Sequence, residues 1–406
     1  MRISTAQIFR GGIEAIQRGQ KDVSRTQLQL STGRRVLSPS DDPSGAVQTL
    51  QFRSGVEKVE QYQRNGQLLE QRLRYSETII SSMSDGLQRV RVLALQGNNS
   101  SQTTETRGYM AGEIRDIRDS LLELANSRDA NGEYIFAGVK SQTEPFIQTA
   151  DGNVEYKGAD TQRKLQISAV RQVQAGNPGD QVLIDIPNGN GTFFVEPKGK
   201  VDPEDGPNTG TGVIDAGTVV DRQAWEPGEY TIRFLDSGDT LQYDVIDSGG
   251  NSVLDDGPQE YLSGATISFN GVQTKITGQP QADDQFTLAT SEDQSLFTTY
   301  TRLADALANL DGAELNNAIN RALVDLDQGL QNLLDIRADL GTRMQAVDNQ
   351  DRINEDQLLQ MRSTLSQIED LDYAEAISRF SLQQTALQAA QQTYVQVQRL
   401  SLFNYL

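Results

Sequence analysis

The stretch Ser31-Thr32-Gly33-Arg34-Arg35-Val36-Leu37-Ser38-Pro39-Ser40-Asp41-Asp42-Pro43-Ser44-Gly45-Ala46 divides two amphipathic helices. Glycine at position 33 suits a helix C-cap, because it enters the left-handed region without a Cβ penalty. Two prolines, two aspartates and serines then make a turn able to cap the next helix.

On the N-terminal side, Phe9, Ile13, Ile16, Val23 and Leu30 follow spacings of four and three, with Gln20 and Gln27 filling the two gaps. That is a heptad seam with polar interruptions, which predicts a coiled-coil strand that is marginal alone. On the C-terminal side, Phe52, Val59, Tyr62, Leu69, Leu73, Ile80, Met83, Leu87, Val90 and Ala94 hold one register, with Gly55, Gly66, Ser76 and Gly97 at the remaining seam positions. From 52 to 97 is 46 residues, about 69 Å of helix at 1.5 Å per residue. Asn98-Asn99-Ser100-Ser101 closes it, and a third helix carries Met110, Ile114, Ile117, Leu121 and Leu124.

The C-terminal third mirrors this pattern. Phe297, Tyr300, Ala304 and Leu307 open it, and Ile319, Leu326, Leu333, Leu340 and Val347 recur every seven residues. A polar interval, Asp348–Gln357, precedes Met361, Leu365, Ile368 and Leu371. Phe380, Leu387, Ala390, Tyr394, Val397, Leu400 and Phe403 then form one stripe, and the chain closes on the apolar run Leu400–Leu406.

Between these arms the hydrophobic period falls to two. Tyr230–Leu235 and Leu241–Ile246 read as strands. Asn188-Gly189 predicts a hairpin joining Val182–Ile186 to Thr192–Glu196, and Asn270-Gly271 one joining Thr266–Phe269 to Val272–Ile276. Residues 197–217, rich in Gly, Pro and Asp, read as an exposed loop. The expected fold is α+β: a long antiparallel helical, coiled-coil bundle formed by the N- and C-terminal regions, with a central β-rich inserted domain. Its expected parts are a terminal coiled coil (1–36 with 372–406), a long-helix bundle with a β-hairpin (37–175 with 289–371) and an outward β-rich domain (176–288).

Composition narrows the function. The 406 residues carry a formal charge of -20, and 201–260 hold 14 Asp/Glu against 2 Lys/Arg, which disfavours a nucleic-acid groove or a polybasic membrane patch. The mean hydropathy of -0.52 suits helices with much surface and a narrow buried stripe. Cysteine and histidine are absent, which removes disulfides, thiolate nucleophiles, Cys/His zinc sites and a histidine base. No stretch approaches the ~20 apolar residues of a membrane span. Residues Met1–Phe9 lack the apolar core of a cleaved secretory signal.

Two amphipathic ends are buried economically by packing against each other. The apolar run at Leu400–Leu406 is left over, for neighbouring subunits to cover. Heptads alone leave two readings open: an ordinary bundle with a β insertion, and a subunit whose ends order on assembly.

Motifs flanking the heptads add a resemblance. Ser31–Ala46 resembles the flagellin-family segment between the terminal helix and the first long helix. Met1-Arg2-Ile3-Ser4-Thr5 and Leu400-Ser401-Leu402-Phe403-Asn404-Tyr405-Leu406 resemble the two ends of the hook-associated branch. Asn131-Gly132-Glu133-Tyr134-Ile135-Phe136-Ala137-Gly138 resembles the motif after the third helix. The resemblance covers about residues 1–175 and 289–406.

It implies a structural subunit at the junction of hook and filament, exported through the flagellar type III apparatus to the extracellular flagellum. The filament subunit is the alternative, with the Pro39 and Pro43 turn and the aromatic C-terminus favouring the junction. Implied partners are further copies in a ring, a hook-associated protein on the hook side, and flagellin or a hook-associated protein on the filament side. A cytoplasmic export chaperone on the C-terminal region is also implied, and nucleic acid and membrane are not. The assembly interface falls on Phe9, Ile13, Ile16, Val23, Leu30, Phe380, Leu387, Tyr394, Val397, Leu400 and Phe403, and the family-motif turn on Asp41, Asp42 and Pro43.

No enzymatic activity, cofactor or metal is expected. A phosphate loop and a complete G-x-G-x-x-G are absent, Gly210-Thr211-Gly212 being only a fragment. Asp202-Pro203-Glu204-Asp205-Gly206 lacks calcium-loop ligand spacing. The rival reading is a carboxylate glycosidase in the middle using Asp244, Asp247, Asp255 or Asp256. A receptor-binding role for that domain could coexist with the structural one.

Overall fold

The structure, a computed structural model, describes residues 5–200, 206–238 and 240–403, and side chains only between 7 and 397, without Ile8. Asn404–Leu406 and Asp202–Asp205 lie outside the described residues. The chain divides into two compact units: residues 1–65, 167–169 and 349–406, and residues 66–166 and 170–348.

In the first unit, α1 (Thr5–Thr32) ends on Gly33, whose φ of +69° is the left-handed cap. Helix α2 (Pro43–Gly97) starts nine residues before the apolar register, at the motif turn. Asp42 caps it, its Oδ1 accepting from the Gly45 amide at 2.8 Å, and Pro43 takes the first helical position, where a missing N–H costs nothing. Helix α6 (Gly312–Glu369) runs without a break through the polar interval 348–357. Two of that interval's polar residues face inward instead of ending the helix. Asn354, 2% exposed, donates to the Ile167 carbonyl at 3.0 Å and accepts from Gln350 Nε2 at 3.0 Å. Helix α7 (Tyr373–Phe403) completes the unit.

The second unit holds α2 from residue 66, α3 (Thr104–Ala125), α5 (Leu296–Asn309) and α6 to residue 348. Leu69, Leu73, Ile80, Met83, Leu87 and Val90 of α2 are at most 1% exposed, as are Ile319, Leu326, Leu333 and Leu340 of α6. The seam read from the heptads is therefore the core. Thr103 caps α3 and Ser295 caps α5 through their side-chain oxygens. Two small hairpins follow α3: β1 (Phe146–Gln148) with β2 (Val154–Tyr156), and β3 (Lys164–Gln166) with β4 (Gln172–Gln174).

The β-rich part begins after a short α4 (Gly179–Leu183). It contains β5 (Phe193–Lys200), β6 (Val213–Ile214), β7 (Thr218–Val219), β8 (Glu229–Asp236), β9 (Leu241–Asp247), β10 (Gln259–Glu260), β11 (Thr266–Phe269), β12 (Val272–Thr277) and β13 (Asp284–Thr290). One sheet has the order β10-β9-β8-β13-β5, and β11, β12, β6 and β7 form the second. Phe193, Ile232, Phe234, Val245, Val272, Ile276, Phe286 and Leu288 fill the core they share.

The Asn270-Gly271 hairpin forms as read, both residues having positive φ. The Asn188-Gly189 hairpin does not. Val182 and Leu183 lie in α4, and the arm after it pairs with the segment following β13. Asn188 N donates to Glu292 O at 2.9 Å, and Gln294 N to Ile186 O at 2.8 Å. Residues 206–212 are not a free loop either. Buried Asp284 accepts from the amides of Thr209, Gly210 and Gln281 at 2.8–2.9 Å, so one carboxylate replaces the missing strand bonds.

Candidate assembly interface

Helices α1 and α7 pack antiparallel. Phe9 meets Tyr394 edge-to-face at 6.1 Å between ring centroids, and Thr26 Oγ1 bonds Gln383 Oε1 at 2.8 Å. Half-buried Phe380, Leu387, Ala390, Tyr394 and Val397 hold the α7 seam as its stripe predicted, and Phe9, Ile16, Val23 and Leu30 hold that of α1. Alternate positions of α1 differ from the sequence reading. Gln20 and Gln27 are exposed, and Ile13 is 42% exposed. The residue before each of these faces α7 instead: Gly12, Gly19 and Thr26. A Cβ on Gly12 would stand 2.8 Å from the Tyr394 ring, and one on Gly19 would stand 3.2 Å from Leu387. Together with Gly33 against Tyr373, they form a seven-residue repeat of small residues. Reading only apolar positions hides it, because glycine marks a seam by what it omits. The side chains of Leu400 and Phe403 lie outside the described residues.

The motif turn builds the joint behind this pair. Arg35 N donates to Glu369 O at 2.7 Å, and Leu371 N to Gly33 O at 3.0 Å. The Arg35 guanidinium donates twice to Ile368 O, and buried Gln29 donates to Arg35 O at 2.7 Å. Asp41 accepts from the Leu37 and Ser38 amides and pairs with Arg25 at 2.9 Å. Its partial burial raises the carboxyl pKa, but the Ser38 amide, the Arg25 charge and the Leu37 amide outweigh that and hold it below the ordinary aspartate value. Asp41 and Asp42 thus fix the turn itself, and nothing in their surroundings has the character of a reactive group.

A second ionic clasp fixes the segment after α3. Arg72, 9% exposed at its side chain, pairs with Asp129 at 3.0 Å and Glu133 at 2.8 Å, and Arg163 pairs with Glu133 at 2.7 Å. The hydrogen bond from Arg163 is the main reason that the Glu133 pKa falls below the ordinary glutamate value.

The rival catalytic carboxylates are occupied differently. Asp244 accepts from Arg233 at 2.9 Å and from Ser252 at 2.6 Å, so both oxygens serve the sheet. Asp247 caps the turn at Gly249 and Asn251, and Asp255 and Asp256 are exposed. Among the described residues no cluster of acidic side chains could hold a metal ion, and no described helix is long and apolar enough to cross a membrane.

Outside the seam, the first unit exposes large apolar side chains: Leu28 at 53%, Leu50 at 71%, Ile377 at 57%, Leu382 at 71% and Val395 at 47%. Residues 380–398 of α7 contain no charged side chain. A helix of that composition can be covered on every face without stranding a charge.

Long heptad helices at both ends, an inserted β part and a terminal helix without charge over residues 380–398 are the build of a structural subunit. Residues 3–141 match the bacterial flagellin N-terminal helical region and residues 323–406 the bacterial flagellin C-terminal helical region; the chain belongs to the flagellin family. Within that family it is 25% identical over 403 residues to Flagellar hook-associated protein 3 of Escherichia coli, spanning 99% of each chain. It superposes on flagellar hook associated protein-3 from Legionella pneumophila with a TM-score of 0.74 and 30% identity, covering 78% of this chain and 98% of that one. On the flagellar junction protein FlgL from the same organism the values are 0.71 and 29%, covering 80% and 100%. A flagellin from Clostridium tyrobutyricum matches over only 36% of this chain.

Proposed function

We propose that this chain is a structural subunit of the bacterial flagellum that forms the junction between hook and filament. The end-to-end similarity to hook-associated protein 3 carries this reading over the filament-subunit alternative, since flagellin similarity covers only part of the chain. The α1–α7 pair is the assembly element. Its seam holds the two helices together, and the apolar residues left outside it are covered by neighbouring copies in a ring.

The subunit meets a hook-associated protein on the hook side and flagellin or a second hook-associated protein on the filament side. Before assembly the C-terminal helix is a chaperone target in the cytoplasm, because its exposed apolar side chains would otherwise aggregate. Export runs through the flagellar type III apparatus to the extracellular flagellum. The division into terminal coiled coil, long-helix bundle and outward β-rich domain describes the three roles of joining, spanning and decorating.

Removing the gene tests the reading in its own bacterium. Complete hooks, no filaments and flagellin shed into the medium are expected. Normal filaments in that strain would sink the proposal.

A further inference from the structure

We propose that the Asn131–Gly132 peptide is a self-modification site, at which the Asn131 side-chain amide is lost through a cyclic imide and an aspartyl or isoaspartyl residue results. The chain has five Asn-Gly pairs, at 65, 131, 188, 190 and 270. Each has the same intrinsic chemistry. Glycine offers the attacking backbone nitrogen without a side chain to block it, and the structure separates the five by how firmly each amide is held.

Asn65 and Gly66 lie inside α2, within its hydrogen-bond ladder. Asn188 is 5% exposed. It accepts from Glu292 N at 3.0 Å, while Gly189 N donates to Asp325 at 2.7 Å. Asn190 accepts from the Thr192 and Phe193 amides, both at 3.0 Å, and donates to the Gly217 carbonyl. Asn270 donates to the Tyr230 hydroxyl at 3.1 Å inside a two-residue hairpin turn.

Asn131 differs. Its side chain is exposed and makes no hydrogen bond among the described residues. Nothing lies within 4 Å of a Cβ built on Gly132, whose φ is +79°. The attacking group is restrained by a single bond, from Gly132 N to Asp129 O at 2.9 Å, so a small local opening frees it.

The step balances with water as the co-reactant. Gly132 nitrogen gives its proton to solvent base and bonds to Asn131 Cγ. The Cγ–Nδ2 bond breaks and ammonia leaves. Water then opens the five-membered imide at either carbonyl. Opening at Cγ leaves aspartate, and opening at the main-chain carbonyl leaves isoaspartate with one extra methylene in the backbone.

The product sits on the ionic clasp. Asp129 Oδ1 accepts from the amides of Asn131 at 2.9 Å and Glu133 at 3.0 Å, and both acids grip Arg72. A new carboxylate there adds like charge, and the isoaspartyl form also lengthens the turn that places the two acids. The modified chain therefore grips Arg72 less firmly.

The full-length protein, held in mildly alkaline buffer and mapped by mass spectrometry, tests this. The peptide after Arg128 should convert on the order of tenfold faster than those carrying Asn188, Asn190 or Asn270, equivalent to about 1.4 kcal/mol in barrier. It should also contain isoaspartate. Asn131→Gln should stay folded and abolish the fast conversion. Equal rates at the four loop sites, or an intact Asn131 beside a converted neighbour, would overturn the site assignment. Thermal melts of Asn131→Asp and of aged protein test the clasp. Both should melt below the fresh chain, with the aged protein lower, and unchanged melts would overturn the effect on Arg72.

Discussion

Gly12 and Gly19 allow α7 to approach α1 until the Tyr394 ring and the Leu387 side chain occupy the space of a missing Cβ. Substituting Gly12→Val should therefore cost about 1–3 kcal/mol by overpacking, even though valine is a better helix former than glycine. Circular dichroism melts and protease sensitivity near Leu37 measure it, and an unchanged pair would mean the two helices do not meet as described. Glu133 supports a pH experiment. Its pKa is depressed in the folded chain, so its contribution is present above the unfolded value of about 4.3 and is lost as pH falls through the lower folded value. Glu133→Gln should melt below the parent at neutral pH, and the two should converge once the pH has fallen through the lowered folded value. A gap that widened in acid would contradict the ion pairs with Arg72 and Arg163. At this scale the motif turn was legible, because glycine, proline and aspartate each act through their own backbone chemistry. The clasp was not, since Arg72, Asp129, Glu133 and Arg163 are brought together only by folding.

Helix elements were read well where seven-residue spacing was sustained. Leu69 to Ala94 and Ile319 to Val347 are both seam and core. The polar interval at 348–357 interrupts the apolar register, yet α6 contains no proline there and continues through it. What occupies its inward face is the tip of the β3–β4 hairpin, and Asn354 satisfies the Ile167 carbonyl. Asn354→Ala should cost about 1–3 kcal/mol by leaving that carbonyl buried and unpaired, with faster hydrogen exchange over residues 165–173. Equal exchange in the two proteins would show that the hairpin tip is anchored by something else. The Asn188-Gly189 hairpin failed for the converse reason. A local turn signal competes with any distant strand that offers better pairing, and residues 292–294 took the arm that Thr192–Glu196 was expected to hold.

At the scale of the whole chain, the β-rich part enters and leaves through neighbouring backbone, with Asn188 and Glu292 hydrogen-bonded at 2.9 Å. Replacing residues 190–290 by a short glycine linker should therefore leave the helical part folded, with its helical circular dichroism and cooperative melt retained. Loss of both would show that the insertion is needed to fold the helices. In the bacterium, the same deletion should still support filaments if the insertion serves only as decoration. The isolated subunit provides a further check on the assembly reading: its ends should be cut near Leu37 and Leu371, and assembly with its neighbours should protect them.

The sequence by itself determined the α+β class, both helical ends, the turn at Gly33–Pro43 and, through its end motifs, the family. Each of these depends on local backbone preference or on a regular apolar period, and both are written residue by residue. Tertiary structure decided which face of α1 meets α7, which strand receives the arm at Asn188 and which side chains surround Arg72. Those choices depend on steric fit and pairing between residues far apart in the chain. The seam at the two ends was the sharpest case, because the residues that set its closeness, Gly12 and Gly19, have no side chain to register in an apolar pattern.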